Sequence, residues 1–326
     1  MPLAAPWALD GPHHPLARLS ADEVTAARRI IVDAGLVNDS TRFPVLSLDE
    51  PAKAEVLAYS PGSPASAPPR RVYTVLLDTA TGAVQRVRVS LTEQQVDSVE
   101  PVDTAVEGQP PILLDDLIAV DEIVKADAGW CAAIARRGIT DLDLVRPCPL
   151  SAGSFDLPDE DGRRLLRVLS FVQHRKADHP WAHPIDGLVA YVDLIERSVV
   201  RLIDDGLAPV PDEEGNFDDP AYVGPPRTGL QPIEISQPDG PSFTLSDDVI
   251  RWQNWSLRVG FDPREGLVLH QVGYQDGERI RPVVYRASVA EMMVPYADPS
   301  PVRFWQNYFD AGEYLLGQQV NSLMLG

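Results

Sequence analysis

The stretch Val72-Tyr-Thr-Val-Leu-Leu-Asp-Thr-Ala-Thr-Gly-Ala-Val-Gln-Arg-Val-Arg-Val-Ser-Leu91 decides the architecture of the first third of the chain. Its two runs, Val72–Leu77 and Ala83–Leu91, alternate apolar and polar residues around Asp78–Gly82. This pattern is typical of an antiparallel β-hairpin with a tight turn. One face of such a hairpin is apolar, and another element must cover it.

A helix that precedes the hairpin can supply this cover. Ser20 is a candidate N-cap, Glu23 completes a capping box, and Gly35 follows the last periodic residue. Apolar residues recur on one helix face, at Val24, Ala27, Ile30, Ile31 and Ala34. The segments 42–48 and 54–59 between this helix and the hairpin are predicted to be strands.

The same order of elements then recurs. Asp115–Arg137 is predicted to be helical, and Gly138 is its expected stop. Four strand candidates follow it, at Leu142–Arg146, Arg163–Val172, Leu188–Leu194 and Ser198–Ile203. A helix followed by a strand meander, twice over, predicts two related α+β domains, in residues 12–103 and 104–207.

The character of the chain changes after the second domain. Residues 208–228 are rich in proline and predict a linker. Residues 229–326 hold strand candidates without a convincing helix, at Phe243–Leu245, Trp252–Phe261, Gly266–Tyr274 and Arg281–Ser288, which predicts the opening of a β-sandwich. Several apolar residues there are expected to lack a cover and to favour aggregation: Val268, Leu269, Val272, Val283, Val284 and Val294.

Composition excludes several classes of function. The chain has 326 residues, 44% of them hydrophobic, a net charge of -20 and a pI of about 4.6. This charge repels phosphate backbones and anionic membrane surfaces, so we expect neither a nucleic-acid nor a membrane partner. The beginning of the sequence lacks a basic stretch followed by an apolar run, which favours a cytoplasmic location. Cys131 and Cys148 are expected to be buried free thiols.

The histidines do not form a convincing metal motif. His179 and His183 have the spacing of a zinc helix, but a proline follows each of them and no glutamate follows His179. His174 together with this pair could form a metal site in a loop, although ordinary structural histidines are the favoured interpretation. His270 lies in a predicted strand and is expected to be structural.

The most aromatic stretch is Arg303-Phe-Trp-Gln-Asn-Tyr-Phe-Asp-Ala-Gly-Glu-Tyr314, with Asp310 among its rings. Apolar surroundings raise the pKa of a carboxyl group because desolvation disfavours the charged form. Asp310 is therefore a candidate general base. Composition alone favours the alternative, in which Asp310 caps a turn before Gly312 and points at water.

Blocks of this sequence, in order, resemble the copper amine oxidase family, and most of all its bacterial phenylethylamine and histamine oxidase branch. The blocks after the linker are Val259-Gly-Phe-Asp-Pro-Arg-Glu-Gly-Leu-Val-Leu-His270, Arg286-Ala-Ser-Val-Ala-Glu-Met-Met-Val-Pro-Tyr296 and Trp305-Gln-Asn-Tyr-Phe-Asp-Ala-Gly-Glu-Tyr-Leu315. The upstream blocks are Pro149-Leu-Ser-Ala-Gly153 and Trp181-Ala-His-Pro-Ile-Asp-Gly-Leu-Val-Ala-Tyr191.

The resemblance implies two small cystatin-like α+β domains ahead of a large β-sandwich catalytic domain that forms a homodimer. It also implies oxidation of primary amines to aldehydes with O2, which releases ammonia and hydrogen peroxide. An aromatic amine such as phenylethylamine, tyramine or histamine is the expected substrate. Copper and topaquinone, a quinone made from a tyrosine of the protein, are the implied cofactors.

Residue by residue, the resemblance implies four site positions. Asp310 matches the general base that removes a proton from the carbon next to the amine nitrogen. Tyr308 matches the gate over the quinone, and Pro149 and Trp181 match positions that line the amine channel of some bacterial members.

The family's quinone-forming tyrosine, in an Asn-Tyr-Asp/Glu motif, and its three copper-binding histidines lie downstream of the position of Asp310. The sequence Asn307-Tyr308-Phe309 is not that motif, because no acid follows the tyrosine. We therefore expect no copper ligand and no quinone precursor within residues 1–326, and no activity from this chain alone. A non-enzymatic binding or assembly module, left from a truncated or split oxidase gene, is the alternative interpretation.

Overall fold

A computed structural model describes residues 14–60, 67–289 and 292–307 of the protein. The chain divides into two compact units. One unit comprises the described parts of Met1–Asp103 and Gln237–Met292, and the other comprises those of Thr104–Ser236 and Met293–Tyr308. No helix in these described ranges is long and apolar enough to cross a membrane.

The first unit begins with helix α1, Ala21–Asp33, and a four-stranded antiparallel meander in the order β1-β2-β3-β4. The strands are Thr41–Leu48, Arg71–Asp78, Val84–Ser90 and Gln95–Pro101. The predicted hairpin is confirmed as the β2–β3 pair, in which Leu77 lies opposite Val84. The predicted cover is confirmed as well, because Ile30 and Ile31 of α1 pack with apolar residues of β2 and β3 in one buried cluster.

Residues 54–59, predicted to be a strand, are instead mostly part of a short helix, α2, Lys53–Ala58. The side chain of Glu55 accepts a hydrogen bond from the Ala52 amide at 3.0 Å, which satisfies one free amide at the start of this helix. Alanine, lysine, glutamate and leucine are also good helix formers. The short apolar run was ambiguous, and local capping favoured the helix.

The second unit opens with three helices, α3 (Thr104–Glu107), α4 (Leu114–Ala126) and α5 (Ala128–Arg136). The single helix predicted over 115–137 is therefore two helices. Asp127 interrupts it, since its backbone is extended and its side chain accepts a hydrogen bond from the Trp130 amide at 2.7 Å. An aspartate at this position caps the second helix as a new N-terminus.

A second four-stranded antiparallel meander follows these helices, in the order β5-β6-β7-β8. Its strands are Val145–Ser151, Leu165–Val172, Leu188–Asp193 and Ser198–Asp204. Val120, Trp130 and Ile134 of α4 and α5 pack on one face of this sheet in the largest buried cluster of the second unit. The repeated helix-then-meander order is thus confirmed, with each helical layer on one face of its sheet.

The two meanders share a charged anchor at the start of the helix. In the first, Glu23 accepts from the Ser20 amide at 2.8 Å and pairs with Arg70 at 2.7 Å. In the second, Asp116 accepts from the Leu113 amide at 2.9 Å and pairs with Arg164 at 2.5 Å. Each arginine directly precedes a long strand, β2 or β6, and also donates to carbonyl groups of the chain before its helix.

The predicted linker contains the short helix α6, Pro220–Val223. The third sheet has five antiparallel strands in the order β13-β12-β11-β10-β9. In chain order, from β9 to β13, they are Phe243–Ser246, Val249–Trp252, Trp255–Asp262, Gly266–Asp276 and Arg279–Ser288. These strands belong to the first unit.

The expectation that this sheet leaves its apolar residues uncovered is wrong for Val268. Val268 is buried, whereas Val283, Val284 and Val294 are exposed. Val268 precedes His270 by two residues in β12 and so shares its sheet face. On that face, His270 contacts Glu50 of the segment between β1 and α2.

The cysteines Cys131 and Cys148 are free and half-buried. The prediction of free thiols is confirmed, and the prediction of full burial is wrong. Cys131 donates to the carbonyl of Lys125 at 3.3 Å.

Candidate functional site

The predicted base and gate, Asp310 and Tyr308, lie outside the described residues. The chain that leads to them, from Met293 to Asn307, is described and is called here the approach segment. It belongs to the second unit, together with the β5–β8 sheet.

The approach segment covers the face of the β5–β8 sheet that the helices leave open. Val302 and Trp305 pack in one buried cluster with Val189 and Tyr191 of β7. Trp305 is fully buried, and Arg303 pairs with Asp186 at 2.5 Å. Since α4 and α5 cover the other face, all six residues of β7 are buried.

A buried arginine holds the approach segment on the sheet. The guanidinium carbon of Arg167, in β6, lies 4.6 Å from the ring centre of Tyr191 and 5.2 Å from that of Phe155. It lies 5.6 Å from the ring centre of Phe304 and 5.5 Å from that of Trp305. These distances are within the range of cation–π attraction. We call the four rings around Arg167 the arginine cage.

Three hydrogen bonds fix the orientation of Arg167. Its Nε donates to the carbonyl of Ala152 at 2.9 Å, one terminal nitrogen donates to the Tyr191 hydroxyl at 2.6 Å, and the other donates to Glu160 at 2.7 Å. Arg167 is 0% exposed, so its charge is balanced within the protein by Glu160 and by the rings.

Burial dominates the titration of the groups around Arg167. Desolvation raises the pKa of Glu160 above its ordinary value, although Arg167 acts in the opposite direction. Desolvation likewise raises the pKa of the Tyr191 hydroxyl. The Tyr191 hydroxyl therefore stays protonated at neutral pH and accepts the hydrogen bond from Arg167 through its lone pair.

Trp181, a predicted channel residue, is 47% exposed. Its ring contacts Phe171 edge to face with ring centres 5.2 Å apart, and its amide donates to Nδ1 of His179 at 3.3 Å. A half-exposed tryptophan fixed by a second ring presents an apolar surface to a ligand.

Pro149, the other predicted channel residue, is half-buried in β5 and lies opposite Val168 of β6. Within the described residues, no hydrogen bond or ring contact joins Pro149 to Trp181. The next residue, Leu150, packs against the cluster that contains Trp305.

Two histidines of this unit contact each other and the main chain. His174 and His183 are stacked with ring centres 3.9 Å apart. Both ring nitrogens of His183 face main-chain carbonyls, of Val172 at 3.0 Å and of Glu213 at 2.7 Å. Among the residues described, no group of three His, Cys, Asp or Glu side chains could hold a metal ion. The described residues therefore do not fit the copper that the resemblance implies.

His270 belongs to a network of charged side chains that the sequence did not predict. Its Nε2 lies 3.0 Å from Glu50, which also accepts from Arg286 at 3.0 Å, and Arg286 donates to Glu265 at 2.8 Å. Burial raises the pKa of Glu50, but the hydrogen bonds from His270 and Arg286 outweigh burial and lower it. The hydrogen bond from Arg286 lowers the pKa of Glu265.

The third sheet carries an apolar groove of about 530 Å³. Its lining is aromatic and aliphatic: Phe243, Ile250, Trp252, Trp255 and Leu257. None of the predicted site residues lines this groove.

The sequence analysis did not identify Arg167, although the strand that contains it offered a signal. Arg167 is the one charged residue in the strand Leu165–Val172, whose other members are apolar apart from a serine. A lone arginine in such a strand must find buried partners. The identity of those partners could not be read locally, because Trp305 lies 138 positions further along the chain.

Known protein families match three parts of the chain. The matches are described as "AGAO-like N2 domain" over residues 20–99, "Copper amine oxidase, N3 domain" over residues 115–219, and "Copper amine oxidase, enzyme domain" over residues 244–326.

Individual relatives agree with these matches. The chain is 51% identical over 313 residues to a histamine oxidase of Arthrobacter globiformis. This alignment covers 96% of this chain and 45% of that protein. It is 43% identical to a primary amine oxidase of Arthrobacter sp. strain P1, over 98% of this chain and 48% of that protein. The chain thus spans about half the length of the curated relatives it matches.

Solved structures show the same fold. The copper-containing benzylamine oxidase of Hansenula polymorpha aligns with a TM-score of 0.77 and 22% identity, over 96% of this chain and 50% of that chain. An amine oxidase of Aspergillus nidulans aligns with a TM-score of 0.62 and 18% identity, over 93% of this chain and 46% of that chain. At these identities the likeness concerns the fold alone.

Proposed function

Because this chain belongs to the copper amine oxidase family, we propose that it serves the oxidation of primary amines to aldehydes by O2, with release of ammonia and hydrogen peroxide. The observation that carries the proposal is the 51% identity to a histamine oxidase over 313 residues. The activity is proposed for a polypeptide that also supplies the remainder of the enzyme domain, since the chain spans about half the length of these relatives.

The proposal assigns four residues. Asp310 removes a proton from the carbon next to the amine nitrogen, as a general base. Tyr308 is the gate, and Pro149 and Trp181 line the path of the amine. The packing of Trp305, the first residue of the motif that contains Asp310, on the sheet that carries Pro149 supports this grouping.

The substrate proposed is a primary amine with an aromatic tail, such as phenylethylamine, tyramine or histamine. The half-exposed ring of Trp181 supports it, because an aromatic surface favours an apolar, planar tail over a second charge. The excess of acidic residues, -20 in net charge, attracts the ammonium form of the amine.

Copper and topaquinone remain predictions from the resemblance. When bound, the quinone supplies the carbonyl that captures the amine and accepts its electrons. The chain's described residues offer no copper site, so we assign no ligand among them. The homodimer, the cytoplasmic location and the lack of nucleic-acid or membrane partners also remain predictions.

The proposal includes a domain assignment. Residues 12–103 and 104–207 are the two cystatin-like domains, 208–228 is the linker, and 229–326 is the opening of the catalytic β-sandwich. The two four-stranded meanders, each preceded by a helix, and the separate five-stranded sheet support this division.

A non-enzymatic binding or assembly module is the second candidate. The observation in its favour is the apolar groove on the third sheet, since an exposed apolar surface of this kind is typical of an interaction site.

One experiment separates the two candidates. Residues 1–326 and the same chain extended by the remainder of a family enzyme domain are expressed in parallel, loaded with copper in air, and tested with phenylethylamine. We expect quinone absorbance and peroxide release from the extended chain and neither from residues 1–326. Absence of both from the extended chain would favour the binding module.

The role of Asp310 needs its own variant. In the active extended chain, Asp310→Asn should abolish steady-state turnover and leave quinone absorbance largely intact. Retained turnover would contradict the assignment of Asp310 as the base.

A further inference from the structure

We propose that Arg167 is a positioning residue for amine oxidation: its cage fixes the approach segment and so orients the chain that continues into Tyr308 and Asp310. This inference rests on the function proposed above. It concerns a residue of the second domain that no sequence match singles out.

Arg167 lies in the sheet and contacts rings of both the second domain and the approach segment. Two of the four rings in the cage, Phe155 and Tyr191, belong to the second domain, and the other two, Phe304 and Trp305, belong to the approach segment. Arg167 is therefore the shared centre of the contact between the two parts of the chain. Tyr308 follows Trp305 by three positions, and Asp310 follows it by five.

Stability alone does not explain an arginine in this position. A buried ion pair is often no more stable than well-packed apolar residues of the same volume, since both charges lose their hydration. The partners of Arg167 are also costly, because burial raises the pKa of Glu160 and so disfavours its ionised form. The presence of Arg167 is therefore better explained by the orientation that it gives to the neighbouring rings than by a gain in folding stability.

The guanidinium group is suited to fixing the orientation of the side chains packed against it. It is planar and donates in a rigid fork, so three hydrogen bonds to Ala152, Tyr191 and Glu160 define its plane. The rings that pack against that plane are held in turn. An aliphatic residue could fill the same space, but it would let Phe304 and Trp305 slide.

A general base is sensitive to small displacements. Proton removal from carbon requires the base within hydrogen-bond reach of its target. A displacement of about 1 Å can reduce the rate of a positioned reaction about 100-fold. A loosened cage is therefore expected to slow the proton-transfer step rather than to weaken amine binding.

The test uses the full-length, copper-loaded, quinone-containing enzyme and the variant Arg167→Met. We expect quinone content, titrated with phenylhydrazine, to stay within a factor of about two. We expect kcat for phenylethylamine to fall about 10-fold or more, with KM changed less. The deuterium isotope effect with amine labelled at the carbon next to nitrogen should be kept or increased.

Arg201 provides a matched control. Its guanidinium carbon lies 5.4 Å from the ring centre of Tyr191, but Arg201 is exposed and is not part of the contact with Phe304 or Trp305. Arg201→Met removes an arginine from the same tyrosine and should leave kcat and the isotope effect unchanged.

A second variant covers the case in which Arg167→Met does not fold or lacks the quinone. Arg167→Lys keeps the charge and loses the fork, so it should retain quinone and show an intermediate kcat. Hydrogen exchange of the approach segment should increase in this variant. An unchanged kcat with increased exchange, or a fall in kcat with a lost isotope effect, would overturn the positioning role.

The two proposals fail in different ways. A wild-type enzyme without quinone or turnover would refute the proposed function. An active wild type whose Arg167 variants match the Arg201 control would refute only the positioning role.

Discussion

Breaking the ion pair between Asp116 and Arg164 tests whether this charged anchor holds helix α4 to the β5–β8 sheet. Arg164 is 1% exposed and Asp116 is 9% exposed, and their atoms are 2.5 Å apart. The perturbation is Asp116→Asn, which removes the negative charge. It keeps an oxygen that can accept from the Leu113 amide, so the cap of α4 can persist.

The expected loss follows from the burial of Arg164. Removal of one partner of a buried ion pair costs about 3 to 5 kcal/mol, because the other charge is left uncompensated. Arg164 still donates to the carbonyls of Pro110 at 2.8 Å and Pro111 at 2.9 Å. We therefore expect the lower end, about 3 kcal/mol, which is a roughly 100-fold change in a local opening equilibrium.

Hydrogen exchange followed by mass spectrometry measures this loss region by region. Peptides from α4 and β6 should lose protection about 100-fold, and peptides from α1 and β2 should not change. The matched control is Glu196→Gln, which breaks the exposed pair between Arg163 and Glu196 at 3.0 Å. Exposed pairs contribute about 0 to 1 kcal/mol, so that variant should stay within roughly fivefold of wild type.

The double variant decides the cause. Asp116→Asn combined with Arg164→Met leaves no unpaired charge, so it should recover at least half of the lost protection. If the single variant costs less than about 1 kcal/mol, or if Arg164→Met makes the loss larger, the charged anchor does not act as described.

Three further predictions concern the fold. Gly187→Ala should destabilise the second unit more than Gly206→Ala, as measured by thermal unfolding. Both glycines have positive φ. A Cβ at Gly187 would lie 2.8 Å from a main-chain oxygen, whereas a Cβ at Gly206 would meet nothing within 4 Å. Equal losses would contradict the clash. Ile31→Ala should cost about 2 to 5 kcal/mol and Ile31→Val about 0.5 to 1.5 kcal/mol in urea unfolding of the first unit, because Ile31 is fully buried. A loss below 1 kcal/mol for alanine would show that the core relaxes. Arg286 lowers the folded-state pKa of Glu265 below its ordinary 4.5, so this stabilisation is complete above pH 4.5 and is lost as the pH falls through the folded value. The gap in unfolding temperature between wild type and Glu265→Gln should therefore be constant from pH 7 to 5 and shrink below pH 4.5; a gap that grows on acidification would reverse this sign.

Local patterns predicted most of the secondary structure. The capping box at Ser20 and Glu23, the alternation around Asp78–Gly82 and the repeated order of elements all depend on residues close in sequence. Such features can be read without the fold. The errors arose where the local signal was ambiguous, in the short helix Lys53–Ala58 and at the break at Asp127. Two strand predictions were also wrong in part: Leu142–Leu144 form a 3-10 helix before β5, and a turn after Trp252 divides the strand predicted over Trp252–Phe261.

The candidate site was predicted by family likeness rather than by geometry. Pro149, Trp181, Tyr308 and Asp310 were assigned by matching motifs, and Asp310 alone also had a physical argument in its aromatic neighbours. The half-exposed ring of Trp181 agrees with a ligand-facing role. The roles of all four residues stay predictions.

By itself, the sequence determined the elements, their repetition and the family, because helix caps, strand alternation and motif blocks are encoded over short distances. Only the tertiary structure decided which charges meet. The partners of Arg167 come from three separate segments of the chain, at residues 152–160, 191 and 304–305, and Glu50 meets His270 across 220 positions. Such distant pairs matter for the structure because a charge that is removed from water is stable only beside a partner. The tertiary fold determines which distant residue supplies that partner.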